Sequence, residues 1–354
     1  MKKILLSVIL SGCALALMAQ TGDALSATLQ NGESTQVFYG VDALKLAYAA
    51  SEDGATITLS SGTFTNPGTI EHGIRIYGAG FENDTETGIT PTKILGDFYA
   101  FNEDGISDIY LEGVWVEKAI VIGNYYTAST LNSLAVIKCY AIDVNFTNTD
   151  IASARISNCR IEGTIYSYSN TGKADNLLVQ NSYIRNKVGT FKGGGNVLVD
   201  HCFIAGYQDH GPHVFRNSIL YASAIGAGGS AESCIGIKDG YYTSTGDVQP
   251  FRLVNAVNCV ILDKTEWPAL FTDAFAEGNR NYLDSEGNPH TFTLAEPDNY
   301  VGTDGTQIGI NGGTYPWNKI PSTPRIVSSN IAPETDANGK LSISFKAEAR
   351  PVVP

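Results

Sequence analysis

The side chains best suited to acid–base chemistry lie in one short stretch of the chain. His201, His210 and His213 fall within thirteen residues, with Asp200 and Arg216 on either side. Histidine can serve as a general acid, a general base or a metal ligand near neutral pH, so His210 and His213 are candidates for catalysis. In the structural alternative, which the local pattern favours, His201 occupies a regular turn and the other two histidines lie in a solvated loop.

A second candidate pair is Lys238 and Asp239, which precede Gly240. A lysine next to a carboxylate can act as a general base when its surroundings lower the pKa of the amine. The same pair in a glycine-rich turn is more often part of the solvated surface. Both interpretations stay open from the sequence.

A recurring phrase shows which elements must position these residues. Each copy has alternating apolar residues, then Asn or a near substitute, then Cys or Ser, then a second short alternation. The Cys or Ser positions are separated by 20, 23, 20, 16, 16 and 25 residues, and they are Cys139, Cys159, Ser182, Cys202, Ser218, Cys234 and Cys259. Period-two alternation repeated at this interval predicts one solenoid coil per copy, with each strand paired to the coils above and below.

The first third of the chain carries a family resemblance. An amphipathic stretch at 41–50, with Val41, Leu44 and Tyr48 on one face, precedes Gly54-Ala-Thr-Ile-Thr-Leu-Ser-Ser-Gly-Thr-Phe64 and Ile74-Arg-Ile-Tyr-Gly-Ala-Gly80. This order resembles the start of bacterial pectate-lyase-like proteins, over residues 40–262. The resemblance implies an all-β fold, a right-handed single-stranded parallel β-helix with an N-terminal capping helix. It does not specify an activity, since lyases, hydrolases, epimerases and non-catalytic adhesins share the fold.

The resemblance also implies roles for the repeated phrase. Its Asn residues should stack as a ladder of amides with His201 interrupting the row, and the cysteines should stack inward as free thiols. A disulfide between Cys139 and Cys159 is the geometric alternative. Residues after the inward positions should form an outward row that carries sugar rings, and the predicted substrate-binding residues are Tyr140, Arg160, Tyr183 and Phe203. In the alternative, a loop or the C-terminal hairpin covers this row.

For activity, the resemblance implies a base such as Lys238 that removes a proton beside a uronate carboxyl, with Ca²⁺ or Arg neutralising the acid. Calcium is therefore a candidate cofactor, but the sequence shows no compact aspartate cluster and we assign no metal ligand. The paired aspartates of polygalacturonase-like hydrolases are also not visible. We expect a β-helix protein that binds or processes polysaccharide, or alternatively a non-catalytic surface module that presents loops to glycans or proteins.

Residues 1–19 have the features of an export signal, with Lys2 and Lys3 before a short apolar run. We therefore expect a secreted or cell-surface protein. A lipid anchor is the alternative, because Leu10-Ser-Gly-Cys13 resembles a lipobox. The apolar residues that continue after Cys13 favour plain secretion. No later segment has the length and apolar composition of a transmembrane helix.

The rest of the chain divides into the β-helix at 20–262 and a C-terminal region at 263–354. The latter combines an irregular closing segment with two strand-like runs, 325–327 and 341–345, predicted to form a hairpin packed on the solenoid. Removing 1–19 takes away two lysines and no acidic residue, which moves the formal charge from −13 to −15. This charge disfavours nucleic acid and any polyanion lying on bare protein, and we expect a monomer.

Overall fold

The computed structural model describes residues 25–84, 88–167, 172–189, 191, 194–206, 209–211, 213–222, 224–225, 228–239, 241–242, 248–249, 252–273, 280–335 and 338–349. The predicted export signal, including Cys13, lies outside these residues and stays a prediction. None of the helices in the described part of the chain has the length and apolar composition needed to cross a bilayer.

In each of its first six parallel turns the described chain contributes one strand to each of three sheets, and the later turns add strands to two of these sheets, which confirms the all-β parallel solenoid. The twelve-stranded sheet contains β1 (Ser26–Asn31), β2 (Ser34–Tyr39), β3 (Ala55–Leu59), β6 (Ile74–Tyr77), β9 (Ile106–Glu112), β12 (Ser129–Ile137), β15 (Thr149–Ser157), β18 (Lys173–Gln180), β21 (Gly195–Asp200), β24 (Val214–Arg216), β27 (Ser230–Glu232) and β31 (Ala256–Val257). β1 and β2 join it as an antiparallel pair at the N-terminal edge.

The other two faces follow the same order along the chain. The ten-stranded sheet contains β4 (Gly62–Phe64), β7 (Thr92–Ile94), β10 (Trp115–Val116), β13 (Tyr140–Ala141), β16 (Arg160–Ile161), β19 (Tyr183–Ile184), β22 (Phe203–Ile204), β25 (Ile219–Tyr221), β28 (Ile235–Lys238) and β32 (Val260–Asp263). The six-stranded sheet contains β5 (Thr69–Ile70), β8 (Phe98–Ala100), β11 (Ile120–Gly123), β14 (Val144–Thr147), β17 (Thr164–Ser167) and β20 (Lys187–Val188).

Short elements complete the chain. Three strand pairs lie outside the main sheets, and they are β23 (Asp209–His210) with β26 (Ala224–Ile225), β29 (Tyr241–Tyr242) with β30 (Val248–Gln249), and β33 (Arg325–Thr335) with β34 (Leu341–Glu348). The helices are α1 (Ala43–Ala49) and α2 (Trp267–Leu270), with 3₁₀ turns at Lys264–Glu266 and Pro297–Asn299. Helix α1 buries Ala43, Leu44, Ala47 and Tyr48 against the first strands, whereas Val41 precedes it and is exposed.

The repeated phrase marks the turn between the twelve-stranded and ten-stranded sheets. Seven equivalent turn residues have a left-handed backbone, with φ between 44° and 56°, and they are Lys138, Asn158, Asn181, His201, Asn217, Ser233 and Asn258. Asparagine tolerates this conformation better than most residues, which explains why it predominates in the phrase. The cysteines that follow point inward as predicted, and Cys139, Cys159, Cys202 and Cys234 are fully buried free thiols.

The chain after the solenoid returns along its side. Residues 302–322, which we call the strap, run over the left-handed turns in the order opposite to the solenoid. The contacts in chain order are Thr303 to Asn217, Thr306 to His201, Ile310 and Gly312 to Asn181, Asn318 to Asn158, and Ser322 to Glu112. The turn amides therefore bind the strap, where the sequence predicted amides stacked on one another.

The C-terminal hairpin is present, and its packing on the solenoid stays a prediction because most side chains of β33 lie outside the described part of the chain. Strands β33 and β34 pair with each other as expected, but all eight residues of β34 are exposed. The strap and the segment before it cover the side of the solenoid.

Candidate functional site

Of the predicted catalytic residues whose side chains are described, Lys238 and Asp239 lie apart from the buried His213. Lys238 is exposed at the end of β28, and Asp239 beside it accepts a hydrogen bond from the Tyr221 hydroxyl at 3.2 Å. His213 precedes β24 and is 4% exposed. Its Nε2 donates to the Gly189 carbonyl oxygen at 2.7 Å, and burial lowers the pKa of its ring. His213 is thus a neutral core residue, while the side chain of His210 lies outside the described part.

The C-terminal half of the predicted aromatic row, which consists of Tyr183 and Phe203, is covered. Tyr183 and Phe203 are completely buried, and they pack with Ile219 and Ile235 beneath the segment that follows the solenoid. The covering side chains form a second apolar core, and they include Trp267, Leu270, Phe271, Tyr282, Phe292, Leu294, Ile308 and Ile310. A sugar at the surface therefore does not touch Tyr183 or Phe203, and this half of the row follows the covered alternative.

The N-terminal half of the row, Tyr140 and Arg160, stays partly exposed. Together with Lys93 and Trp115 it forms a series in which cations alternate with aromatic rings. Lys93 lies 5.3 Å from the Trp115 ring, the Trp115 and Tyr140 rings are 4.9 Å apart, and Arg160 lies 5.2 Å from Tyr140. Each cation also has a carboxylate partner: Lys93 pairs with Glu117 at 2.8 Å, and Arg160 pairs with Glu162 at 2.5 Å. The two cations, Lys93 and Arg160, are therefore already paired with carboxylates, which leaves them less available to a ligand.

A polar pocket of about 540 Å³ lies where the strap crosses the turns. Asp200 is its central group, because Arg216 donates two hydrogen bonds to it at 3.3 and 2.8 Å and the His201 Nδ1 lies 3.2 Å away. Burial raises the pKa of Asp200, but the hydrogen bonds and positive charges of His201 and Arg216 outweigh burial and lower it to about 2. Asp200 is therefore a fixed anion that holds Arg216 and His201 in place.

The pocket does not fit the calcium ion that the family resemblance would imply. Asp200 is occupied by Arg216, and the His201 Nε2 lies 3.5 Å from Asp304 on the strap. Among the described residues, no group of three or more His, Cys, Asp or Glu side chains is arranged to hold a metal ion. The contacts of this pocket anchor the strap.

A long groove lies on the outer face of the twelve-stranded sheet, with a volume of about 900 Å³. Leu178 and Leu198 are neighbours in its floor, and Arg155 and Arg216 line it. Arg216 is engaged by Asp200, and burial lowers the pKa of Arg155. An acidic ligand would therefore have to compete with existing contacts here.

An open groove of about 540 Å³ lies on the outer face of the six-stranded sheet, and tyrosines dominate it. Tyr99, Val121, Asn145 and Tyr166 occupy one register column on β8, β11, β14 and β17. The loop after β11 adds Tyr125 and Tyr126, whose rings meet edge to face at 5.2 Å. The remaining lining residues are Gly123, Asn124 and Thr147, so none of the nine carries a charge.

Two features fix the geometry of this groove. Asn145 accepts a hydrogen bond from the Thr147 hydroxyl at 3.0 Å, and its amide lies 3.5 Å from the Tyr166 hydroxyl, which orients the amide between the rings. The Asn124 carboxamide oxygen accepts from the Tyr126 backbone N–H at 2.8 Å. This turn presents Tyr126 to solvent with 89% of its surface exposed, and Tyr125 is 58% exposed.

Comparisons of the chain with protein-family models, with curated proteins and with solved structures gave no match. The site is therefore interpreted from its own geometry.

The sequence reasoning missed the tyrosine groove for a physical reason. Tyr99 and Tyr166 lie on strands separated by coils of unequal length, so their shared column becomes visible only when the strands are paired. A signal was nevertheless present in Gly123-Asn-Tyr-Tyr126, where two adjacent aromatic residues follow the turn-forming pair Gly-Asn. Aromatic pairs in exposed turns are unusual enough to mark a candidate contact surface.

Proposed function

We propose that this β-solenoid is an exported protein that binds a neutral polysaccharide in the tyrosine groove of the six-stranded sheet. The observation that carries this proposal is the uncharged groove with four tyrosines around Asn145. The proposal is a binding function, of the kind expected for a carbohydrate-binding or surface module of a pectate-lyase-like fold.

The tyrosines supply the contact that a sugar ring needs. The faces of pyranose rings carry C–H groups that pack on aromatic rings, while tyrosine hydroxyls and the Asn145 amide can bond to sugar hydroxyls. Tyr126 presents nearly its whole side chain to water. Exposure of this apolar ring is unfavourable, and a bound ligand would cover it. Tyrosine suits such a surface because its ring packs on apolar C–H groups and its hydroxyl forms hydrogen bonds.

The absence of charge among the lining residues favours a neutral ligand over a uronate. The complete chain has a formal charge of −13, so its long-range field repels polyanions. No lysine or arginine lines the groove to offset this repulsion. A neutral glycan is not repelled by the negative charge of the chain and needs no cationic partner in the groove.

The column of strands favours an extended ligand. Tyr99 and Tyr166 are separated by three strand spacings, which is about 14 Å. A chain lying along the solenoid axis would contact both rings and pass Asn145 between them. The groove is open along its length, so the ends of a polymer can continue beyond it.

The lining residues also indicate whether the groove could cleave a bound polysaccharide. Glycoside hydrolysis uses two carboxyl groups that flank the scissile bond, and the nine groove residues include no carboxylate. Lys238 and Asp239 belong to the ten-stranded side, and His213 is buried in the core. The geometry therefore supports binding rather than catalysis at this groove.

The test is binding of the purified protein to neutral polysaccharides and to polygalacturonate, measured by affinity electrophoresis and calorimetry. Each of Tyr126→Ala and Tyr166→Ala should raise Kd for a neutral glycan by about 2-fold to 13-fold, because one aromatic contact contributes about 0.5–1.5 kcal/mol. Tyr39→Ala is the matched control, since Tyr39 is 67% exposed on β2 at the N-terminal edge.

Several outcomes would contradict the proposal. Equal affinity of all three variants would exclude the tyrosine groove as the binding site. Binding restricted to polygalacturonate and lost in Arg155→Ala would move the site to the twelve-stranded sheet. New reducing ends or unsaturated products would establish turnover and overturn the assignment of a binding function.

Export is tested separately by N-terminal sequencing of the mature protein recovered from cells. Cleavage after Ala19 should yield Gln20 as the first residue and a protein free in the medium. Retention in the membrane fraction that Cys13→Ser abolishes would support the lipid anchor instead.

A further inference from the structure

Cys234 and Cys259 occupy equivalent positions in the last two coils of the solenoid. Ile235 pairs in register with Val260, so the cysteines directly before them are neighbours at the starts of adjacent strands. The Cys234 backbone N–H donates to the Cys259 Sγ at 3.5 Å. Strand spacing of about 4.8 Å places the two Cα atoms within the range that a disulfide can bridge.

The pair lies at the end of the stack, where only one member is shielded. Cys234 is fully buried, whereas Cys259 is half-buried. Its neighbours Val257 and Ile261 are 53% and 48% exposed, and β31 and β32 are the terminal strands of their sheets. A dissolved reagent therefore reaches Cys259 without unfolding of the solenoid.

The contact between the two thiols also makes Cys259 the more reactive of the two. A hydrogen bond from the Cys234 side chain is the main cause that lowers the pKa of Cys259 to about 6. Burial raises the pKa of Cys234, which keeps it protonated as the donor. Because a thiolate is the nucleophile in disulfide exchange, the exposed member is also the reactive one at neutral pH.

We propose that Cys234 and Cys259 form a redox-active dithiol that an external disulfide oxidises to an intramolecular disulfide, which ties the last coil to the one before it. In the first step the Cys259 thiolate attacks one sulfur of the external disulfide and releases one thiolate. In the second step the Cys234 sulfur attacks the Cys259 sulfur, and the Cys234 proton leaves with the second thiol that is released. Two protein thiols lose two electrons, and the external disulfide gains them.

The same chain contains an internal comparison. Cys139 and Cys159 are stacked in the same way, with the Cys139 N–H donating to the Cys159 Sγ at 3.5 Å. Both side chains are fully buried in the middle of the stack, and burial raises the pKa of Cys139. The same stacking is therefore present at both pairs, and the solvent exposure of Cys259 distinguishes the terminal pair.

The experiment treats the full folded chain with oxidised glutathione at pH 7.5, followed by peptide mapping by mass spectrometry without reduction. We expect a loss of two mass units assigned to a peptide pair that joins Cys234 to Cys259, while Cys139 and Cys159 stay alkylatable after unfolding. Cys234→Ser should stop the reaction at a stable glutathione adduct on Cys259, and Cys259→Ser should give neither product.

Two further measurements keep the result decisive. Circular dichroism and thermal unfolding verify that each serine variant is folded, and Cys139→Ser serves as the variant that should oxidise like the unmodified chain. A glutathione adduct on Cys259 that persists in the unmodified chain would overturn the proposal, because it shows that Cys234 cannot resolve it. Equal oxidation of the Cys139–Cys159 pair would overturn it as well.

Discussion

The strap contacts make Asn181 the most informative position for mutation. Its side-chain amide donates to the carbonyl oxygens of Ile310 at 2.9 Å and Gly312 at 2.8 Å, and its backbone is left-handed with φ of 44°. Asn181→Ala removes both hydrogen bonds, about 0.5–1.5 kcal/mol each. It also places a Cβ-bearing residue without a compensating side chain in a conformation that costs about 1–2 kcal/mol. We expect a total loss of about 2–5 kcal/mol in unfolding free energy.

Asn181→Gly separates the two causes. Glycine adopts the left-handed conformation readily, so this variant loses only the side-chain hydrogen bonds, about 1–3 kcal/mol. Urea unfolding gives both values, and hydrogen exchange should show faster exchange in residues 302–318 for both variants. Asn258→Ala is the control, because Asn258 has φ of 53° but is exposed in the last coil. Unchanged exchange in the strap of Asn181→Gly would refute the assigned anchoring role.

Two further predictions concern the polar pocket and the second core. Because the folded pKa of Asp200 is about 2 against about 3.9 unfolded, its contribution of about 2 kcal/mol is complete above about pH 4 and is lost as the pH falls through 2. Urea midpoints measured between pH 4 and pH 2 should therefore fall less steeply for Asp200→Asn than for the unmodified chain, and equal slopes would contradict the ion-pair assignment. Trp267→Ala should cost about 3–5 kcal/mol and lower the thermal midpoint, because Trp267 is fully buried against Phe203 and Tyr221. A midpoint within one degree of the unmodified chain would show that the covering segment does not stabilise the fold.

The solenoid could be predicted because its rules are local. The turn residue must tolerate a left-handed backbone, and the next residue must be small enough to stack inside. These two constraints recur in the seven coils that carry the phrase, as at Asn158 with Cys159 and at His201 with Cys202. The alternation then assigns the inward face of each strand without any long-range information.

The surroundings of outward residues could not be predicted in the same way. Tyr140 and Tyr183 occupy the same position of the phrase, yet one stays partly exposed and the other is buried beneath Tyr282 and Phe292. The difference depends on where a segment about a hundred residues later comes to lie. Period-two patterning contains no information on that placement, because it distinguishes only the two faces of a strand.

The strap has a consequence for how the molecule assembles. A simple solenoid can grow coil by coil, because each repeat needs only its neighbours. Here the Ser322 backbone N–H and hydroxyl bind the buried Glu112 carboxylate at 2.7 and 2.8 Å across 210 residues of chain. In a chain synthesised from its N-terminus, Glu112 therefore gains its contacts with Ser322 only after the 210 intervening residues have been made. Once the strap has bound, coils that lie far apart along the solenoid form one cooperative folding unit.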